Sequence, residues 1–355
     1  MVEPASVPPD PEPVDLARTP RVELERFSPR ELQDVCARYE LGKITAIREF
    51  RRGSPQSPKV VIEAARGRFL LKRRSPRTGD PFRVAFVHGV QLFLAARGFA
   101  TPRIIGTRDD NNSMLQRDGF VYELFSYVDG EMYTGRDSEV ADAGRQLARL
   151  HALIADHRPD RVMPQASGRV GMDLIGSCAV VERMDKSFAS AMARIKAAAL
   201  AADEELNRSD LSRRDVLIVH GDWHPGNMIF RDAEVAAVLD FDSARYAPPI
   251  VEVANGLLQF SMTRQGADPL RWPLEPDERK VRMFWRGYRG GLPADAPLVP
   301  YLMIELLIAE GLRPIIETGR FGHLDALTCL RLVARKCQWL CENAGALAGV
   351  LAVES

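Results

Sequence analysis

The chain has 355 residues, and its 48 Lys and Arg side chains balance 48 Asp and Glu side chains, so its formal net charge is zero. At about 150 residues per domain this length predicts two domains or one two-lobed domain, and a hydrophobic fraction of 46% excludes a wholly disordered chain. A neutral chain argues against a coat on nucleic acid or on an anionic membrane, and no apolar run approaches the ~20 residues that a membrane helix needs.

The first segment, residues 1–27, has the composition of a flexible tail. Its prolines disfavour both a helix and a strand ladder, and it has neither the basic start nor the apolar centre of a signal peptide. The five cysteines of the chain are scattered without a CxxC pair, which favours free thiols over a disulfide or metal site. These features predict a cytoplasmic protein.

Residues 28 to about 127 predict a small sheet accompanied by helices. The letters SPRE at 28–31 are the pattern of a helix N-cap with a capping box, and this helix is expected to end near residue 42. Alternating apolar residues predict an antiparallel meander. Its strands are expected at 44–50, 59–65 and 68–74. A helix from Pro81 to Arg97, closed by Gly98, is followed by predicted strands near 102–107, 114–117 and 120–127.

From about residue 138 the pattern is mainly helical. Val140, Ala143, Leu147, Leu150 and His151 lie on one stripe of helical period. Further helices are predicted at 179–206, 278–289, 297–316 and 323–347, and two short strands at 228–231 and 235–240. We therefore divide the chain into a tail (1–27), a small β-rich N-lobe (28–127) and a larger α-rich C-lobe (128–355).

One segment combines the residue types of a phosphoryl-transfer site. It reads VHGDWHPGN at 219–227, and VLDFD follows at 238–242. The residues between them read as a β-hairpin, which would bring Asn227 and Asp240 side by side at its open end. Carboxylate and amide oxygens suit Mg²⁺ that also binds substrate phosphates. Asp222, on the preceding loop, would then stand close enough to accept a proton from a hydroxyl group.

A zinc site at His220 and His224 is disfavoured. An HxxxH pair binds zinc when both histidines share one face of a helix, and Gly221, Pro225 and Gly226 prevent a helix here.

The pattern H-x-D-x-x-x-x-N followed by D-F-x resembles the catalytic and metal-binding loops of the protein-kinase-like fold. The residues in this pattern, HGDWHPGN and then VLDFDSAR, are similar to those of the aminoglycoside phosphotransferase and choline kinase family of small-molecule kinases. LARLH at 147–151 and YELFSYVDG at 122–130 match the same family, so the resemblance covers about residues 30–260. It implies an α+β, bilobal protein-kinase-like fold with a small antiparallel β-sheet N-lobe and a larger, mainly helical C-lobe. Residues 28–127 would then bind the nucleotide, and residues 128–355 would carry the catalytic loop, metal site and acceptor pocket.

The resemblance also implies the chemistry. ATP and Mg²⁺ would be used to move the γ-phosphate to a hydroxyl group of a small molecule, such as an amino alcohol, an amino sugar, a homoserine-like compound or a sugar. Asp222 would act as the base, while Asn227 and Asp240 would hold Mg²⁺. Asp242 would be either a further metal ligand or a solvated turn residue, and His220 would brace the loop rather than react.

The nucleotide is expected to contact the N-lobe. Lys72 lies on the third predicted strand, where kinases keep the lysine that binds the α- and β-phosphates. Strand alternation places Lys72 and Arg74 on one face of the sheet and Arg73 on the other. Gly53 and Ser54 belong to the loop that would cover the phosphates. The main chain of four residues would contact adenine: Glu123, Leu124, Phe125 and Ser126.

One expected part has no equivalent in the sequence. Kinase folds pair the strand lysine with a glutamate on the following helix, yet the segment from 82 to 97 contains no acidic residue, and His88 and Gln91 are its nearest candidates. This gap keeps a non-catalytic, nucleotide-binding pseudokinase as one alternative, and a Ser/Thr protein kinase of the same fold is another. Glu305 and Glu310 are interpreted as surface or capping carboxylates in preference to ligands of a cationic acceptor.

Overall fold

The computed structural model of the protein describes residues 25–50, 56–76, 78–157, 169–209, 211–288 and 293–353, so most of the expected tail lies outside it. The N-terminal part is a five-stranded antiparallel sheet in the order β1-β2-β3-β5-β4. Its strands are β1 Ile44–Glu49, β2 Lys59–Ala64, β3 Gly67–Arg74, β4 Leu115–Arg117 and β5 Phe120–Ser126. Two helices accompany it, α1 Pro29–Cys36 and α2 Pro81–Ala96. The meander that alternation predicts is confirmed.

The start of α1 is the capping box that the sequence predicts. The Ser28 hydroxyl accepts the Glu31 N–H at 3.1 Å, and the Glu31 carboxylate accepts the Ser28 N–H at 3.1 Å. The helix ends at Cys36, earlier than the predicted residue 42. Hydrogen bonds between residues three apart replace the helical ones at positions 38 and 39, so the chain leaves the helix through a tighter turn.

The strand predicted near 102–107 is wrong. Ile104 forms an isolated bridge opposite Phe125, and no regular strand is assigned over 102–107. Pro102 has no N–H to add to the ladder, while the Thr107 N–H turns away and donates to the Asn112 carbonyl at 2.9 Å. Pairing therefore stops after a short contact with β5.

The remainder of the described chain is mainly helical. Its helices are α3 Asp137–Ile154, α4 Leu174–Met184, α5 Ala189–Arg208, α6 Pro249–Ser261, α7 Glu278–Tyr288, α8 Val299–Thr318, α9 Ala326–Glu342 and α10 Ala344–Val353. Its short strands are β6 Leu217–Val219, β7 Met228–Arg231, β8 Glu234–Val238, β9 Arg245–Ala247, β10 Arg320–Phe321 and β11 Leu324–Asp325. The hairpin predicted between 228 and 240 is the antiparallel pair β7–β8.

Two predicted long helices are each interrupted. The helix expected at 179–206 breaks at Asp185, which is extended (φ −155°) and accepts the Ser187 N–H at 2.8 Å, because a short acidic side chain competes for backbone groups. The helix expected at 323–347 breaks at Asn343, whose amide donates to the Trp339 carbonyl at 2.9 Å. Helix α6 was not predicted, because 11 of its 13 residues are buried and a helix buried all round has no polar face.

The two larger of three apolar cores among the described residues lie on either side of a cleft. The smaller core joins α1 to the sheet through residues such as Val35, Ile62 and Leu71. The larger core contains the helices of the C-terminal part, and Val90 and Leu94 of α2 belong to it. The division at residue 128 therefore stays an interpretation, since α2 precedes that point in sequence yet packs on the larger core. No described helix has both the length and the apolarity to cross a membrane.

Candidate active site

A cavity of about 810 Å³ opens where the sheet faces the β7–β8 hairpin. It is lined by Lys72 from β3 and by Asp222, Asn227, Asp240 and Asp242 from the loops around the hairpin. The fold thus brings together residues that stand as much as 170 positions apart in the sequence. Every described side chain to which the motif assigned catalysis or metal binding reaches this one cavity.

The hairpin places two oxygen donors at its open end. The Leu239 N–H donates to the Asn227 carbonyl at 2.8 Å, which fixes Asp240 beside Asn227. The Asn227 amide nitrogen donates to the Asp222 carboxylate at 2.9 Å, so the amide oxygen of Asn227 is directed away from Asp222. Asp240 has a left-handed backbone (φ 59°, ψ 65°), a conformation that side chains other than glycine adopt at a cost and that concentrates at functional sites.

The surroundings of Asp222 favour its ionised form. Burial raises its pKa, but the hydrogen bond from His224, the charges of the neighbouring imidazoles and the Asn227 amide outweigh burial and keep that pKa below its usual value. His224 Nε2 lies 3.4 Å from the Asp222 carboxylate, and His224 Nδ1 accepts the Gly226 N–H at 2.9 Å. This contact selects the tautomer with its proton on Nε2. Asp222 is therefore ionised at neutral pH.

A buried glutamate fixes the backbone of the catalytic loop. Glu252 of α6 is 2% exposed and accepts the N–H groups of His220 at 3.0 Å and Gly221 at 2.6 Å. His151 of α3 contacts the same carboxylate through Nε2 at 3.0 Å and the Tyr288 hydroxyl through Nδ1 at 2.9 Å. Burial raises the pKa of Glu252, yet these hydrogen bonds and His151 hold it below its usual value. Sequence reasoning missed Glu252, although HGD and LARLH both converge on it.

The loop is also tied to the segment after the hairpin. The His220 side chain contacts the Leu239 carbonyl through Nε2 at 2.8 Å, and its Nδ1 accepts the Asp222 N–H at 3.3 Å. Gly221 has φ +80°, and a side-chain carbon there would come within 2.3 Å of the Ser243 carbonyl oxygen. Glycine is therefore required at this crossing of the two segments.

Lys72 faces the carboxylates across the cleft. Its ammonium lies 2.7 Å from the Asp242 carboxylate and 3.4 Å from that of Asp240, with 9% of the side chain exposed. Burial lowers the pKa of Lys72, but the surrounding carboxylates, that of Asp240 above all, outweigh it and hold the pKa above its usual value. The predicted alternation is confirmed, because Arg73 points to the opposite face and pairs with Glu31.

Asp242 is partly exposed, and both of its carboxylate oxygens form ion pairs. One oxygen binds Lys72 and the other binds Arg74. Burial raises the pKa of Asp242, but these two cations keep it well below its usual value. Asp242 therefore bridges two cations, whereas Asn227 and Asp240 are the residues whose oxygens could hold a metal ion.

The predicted adenine contacts lie at the end of β5, but not all of them reach the cavity. Leu124 is fully buried in the smaller core, and the Leu124 carbonyl and the Ser126 N–H are already hydrogen-bonded to segment 103–105 at 2.8 Å. Phe125, Ser126 and the following residues through Val128 line the cavity. Glu123 is also among the residues around the cavity, although its side chain is fully buried.

The phosphate-covering loop was predicted at Gly53 and Ser54, which lie outside the described residues. Phe50 before that loop and Lys59 after it both line the cavity. Lys59 stands directly opposite Lys72 in the β2–β3 pairing, and burial together with Lys72 lowers its pKa. Like charges opposite each other weaken a sheet, so this pair is typical of a site that binds an anion. Sequence reasoning did not identify Lys59.

The donors present fit Mg²⁺ shared with phosphate oxygens. The described residues contain no cluster of three or more His, Cys, Asp or Glu that could hold a metal ion by themselves. An amide oxygen and a carboxylate are hard donors, and Mg²⁺ is usually bound by one or two such groups that leave room for water and phosphate.

The surface interpretation is wrong for Glu305 of α8, which is 4% exposed and pairs with Arg169. Glu310, on the same helix, is partly exposed and accepts a hydrogen bond from Gln259 of α6. Desolvation raises the pKa of Glu310 to about 7, helped by the charge of Asp222. Glu310 is therefore close enough to Asp222 for the two carboxylates to interact.

A small antiparallel sheet above a helical lobe, with a strand lysine facing an Asp–Asn–Asp set across a cleft, defines the class: a phosphotransferase of the protein-kinase-like fold. Residues 46–298 match the family model APH, described as the phosphotransferase enzyme family. Because this match covers well over half of the chain, the protein belongs to that family, and the resemblance seen in the sequence is confirmed.

Solved structures of small-molecule kinases share the fold. An amicoumacin kinase in complex with AMP-PNP, Ca²⁺ and Ami is 12% identical, with a TM-score of 0.62 over 91% of this chain and 94% of that one. A microcompartment-associated aminopropanol kinase is 15% identical, with a TM-score of 0.66 over 89% and 97%. Spectinomycin phosphotransferase in complex with ADP and its antibiotic is 14% identical, with a TM-score of 0.57 over 91% and 99%.

Curated relatives match in sequence over a shorter span. Stress response kinase A of Shigella flexneri is 27% identical over 200 residues, and that of Escherichia coli K12 is 26% identical over 200 residues. The match covers 53% of this chain and 56% of these relatives, so it spans little more than half of their length.

Proposed function

We propose that the protein is an ATP- and Mg²⁺-dependent kinase that transfers the γ-phosphate to a hydroxyl group of a small molecule. The observation that carries this proposal is the convergence of Lys72, Asp222, Asn227 and Asp240 on one cavity. The volume of about 810 Å³ is within the usual range for a pocket that holds a nucleotide-sized ligand. The cytoplasm is the compartment that we predict, since ATP is its phosphate donor.

The residues divide the work of the transfer. Asp222 accepts the hydroxyl proton as the acceptor oxygen bonds to the γ-phosphorus and the bond to the β-phosphate oxygen breaks, releasing ADP. Lys72, the only lysine of β3, orients the phosphates, and main-chain groups near Ser126 and Val128 contact adenine. Asn227 and Asp240 would hold Mg²⁺, which when bound neutralises the charge on the phosphates. The contribution of the chain is mainly positioning and charge stabilisation.

The acceptor is proposed to bind between the catalytic loop and α8. Amicoumacin, aminopropanol and spectinomycin appear in the names of kinases with this fold, which supports a small molecule that carries a hydroxyl group. Amino alcohols, amino sugars, homoserine-like compounds and sugars remain the candidate classes. The carboxyl group of Glu310 on α8 is close enough to Asp222 for the two charges to interact, which supports this location.

The test is a pair of isosteric variants on the same hairpin and loop. We expect Asp222→Asn to lower kcat by about 10²-fold or more in a screen of MgATP consumption against hydroxyl metabolites and aminoglycosides, while MgATP binding measured by calorimetry changes little. Asp240→Asn should instead weaken MgATP binding. Asp232→Asn, at the far end of the same hairpin, is the matched control and should change neither value. Near-normal turnover by Asp222→Asn would overturn the proposed role.

A further inference from the structure

The strand lysine needs a carboxylate that the neighbouring helix does not supply. α2 contains no acidic residue, and its buried polar residue nearest to the sheet is His88, 1% exposed. The acid lies on the sheet instead. Glu123 of β5 stands directly opposite Lys72 in the β3–β5 pairing, and it is 0% exposed. His88 Nε2 contacts the Glu123 carboxylate at 2.7 Å. The carboxylate that kinase folds place on the helix is thus on the strand here, and the helix carries a histidine.

A second cation extends this contact to the phosphate end of the cavity. Arg74 donates to both oxygens of Glu123, at 2.7 Å and 2.9 Å, and it also binds Asp242. Asp242 in turn binds Lys72 at 2.7 Å. Arg74 is thus held between one carboxylate on β5 and one after the hairpin, and Lys72, on the same face of β3, shares the second of these carboxylates. A continuous series of hydrogen bonds therefore connects α2 to Lys72 through Glu123, Arg74 and Asp242.

Helix α2 is also hydrogen-bonded to the segment that carries Asp242. Arg83, near the start of α2, donates to the main-chain carbonyls of Asp242, at 2.7 Å, and Ala244. His88, about one and a half turns further along α2, contacts Glu123. The position of α2 is therefore coupled to both carboxylates that flank Lys72 and Arg74.

We propose that Glu123 is the positioning residue for Lys72, and that Arg74 is the counter-ion that allows Lys72 to leave Asp242 for the phosphates of ATP. This inference rests on the proposed function. When Lys72 turns toward a phosphate, Arg74 still neutralises Asp242, and Glu123 holds Arg74 in place. Without Arg74 the same movement would leave the partly buried Asp242 carboxylate without either of the cations that bind its oxygens, so its desolvation would be less well compensated.

The test moves the carboxylate from the strand to the helix. We expect Glu123→Gln to weaken MgATP binding, measured by calorimetry, by about tenfold, because Arg74 loses its charged partner on β5 and can no longer hold Asp242 away from Lys72. His88→Glu alone sets two buried carboxylates against each other and should also weaken binding. The double variant Glu123→Gln/His88→Glu restores one carboxylate at this place, and we expect it to bind MgATP within about threefold of the unaltered protein.

Rescue by the double variant separates positioning from a merely structural role, because it requires that charge, and not the original packing, be restored. The matched control is Glu31→Gln, which breaks the ion pair of Arg73 on the opposite face of β3, at 2.8 Å. This control should lose stability but keep its affinity for MgATP.

Two results would overturn the inference, and they are distinguishable. If the unaltered protein binds MgATP and Glu123→Gln binds it equally well, Glu123 does not position Lys72, and the proposed function still stands. If the unaltered protein does not bind MgATP, the proposed function fails and this inference fails with it. Should Glu123→Gln not fold, His88→Ala leaves Glu123 in place. Weaker binding by that variant, with Glu31→Gln unaffected, supports the inference, and unchanged binding contradicts it.

Discussion

Among substitutions of residues that do not face the cavity, we expect Glu252→Gln to disturb the catalytic loop most. The carboxylate accepts the N–H groups of His220 and Gly221 and contacts His151. A glutamine in the same place has one oxygen, so its NH₂ group must face at least one of these donors. The loop backbone would have to shift to relieve that contact.

The magnitude follows from the three contacts. A hydrogen bond to a charged group contributes about 1.5–3 kcal/mol, against about 1 kcal/mol for a neutral one, and a buried donor left unpaired costs a further ~1–3 kcal/mol. We therefore expect Glu252→Gln to lower the free energy of unfolding by about 3 kcal/mol. A shift of the loop by about 1 Å would displace Asp222 enough to lower kcat by up to about 10²-fold.

The assay measures urea unfolding and MgATP-dependent turnover on the same samples. Glu139→Gln is the matched control, because Glu139 is also buried, at 1% exposure, and also accepts the N–H groups of residues 134–136. Both variants should lose stability, but only Glu252→Gln should lose kcat beyond about twofold. Equal kcat losses in the two variants, or an unchanged kcat in Glu252→Gln, would refute the bracing role.

The pH dependence of stability provides a second check on Glu252. Its pKa in the folded protein is held below the usual 4.5, so its carboxylate stabilises the fold above that pH. This contribution is lost as the pH falls from about 4.5 through the lower folded-state pKa. The unaltered protein should therefore lose stability more steeply over that interval than Glu252→Gln, as chemical unfolding at several pH values would reveal.

Three further predictions concern the walls of the site. Lys59→Ala should weaken MgATP binding by roughly tenfold in calorimetry, because the phosphates lose one of two opposed cations; equal affinity would contradict that contact. Gly221→Ala should cost at least about 2 kcal/mol in urea unfolding, since its left-handed backbone and the nearby Ser243 carbonyl leave no room for a side chain. Glu310→Gln should stabilise the fold at pH 8 by up to about 3 kcal/mol. The pKa of Glu310 is raised to about 7, so the stability of the unaltered protein falls as the pH rises from about 4.5 to 7. Glu310→Gln should not show this decrease.

Local patterns accounted for much of the architecture. Alternation located β1, β2 and β3, a capping box located the start of α1, and the β7–β8 hairpin followed from two apolar runs around a turn. The misses have physical reasons. α6 is buried all round and shows no polar face, and Asp185 interrupts an apolar period through a side-chain contact with the backbone. The pairing at 102–107 was overestimated because Pro102 and the turn at Thr107 limit it to one bridge.

The sequence by itself determined which residue types meet at this loop, because the spacing from Asp222 to Asn227 and the hairpin before Asp240 are local properties of a short segment. Which groups surround Lys72 was decided by the tertiary structure alone. Lys72, Glu123 and Asp242 come from three distant segments, and their proximity depends on strand register and on the packing of α2. The neutral charge of the chain likewise conceals this cluster of buried opposite charges, since a sum over the sequence contains no distances.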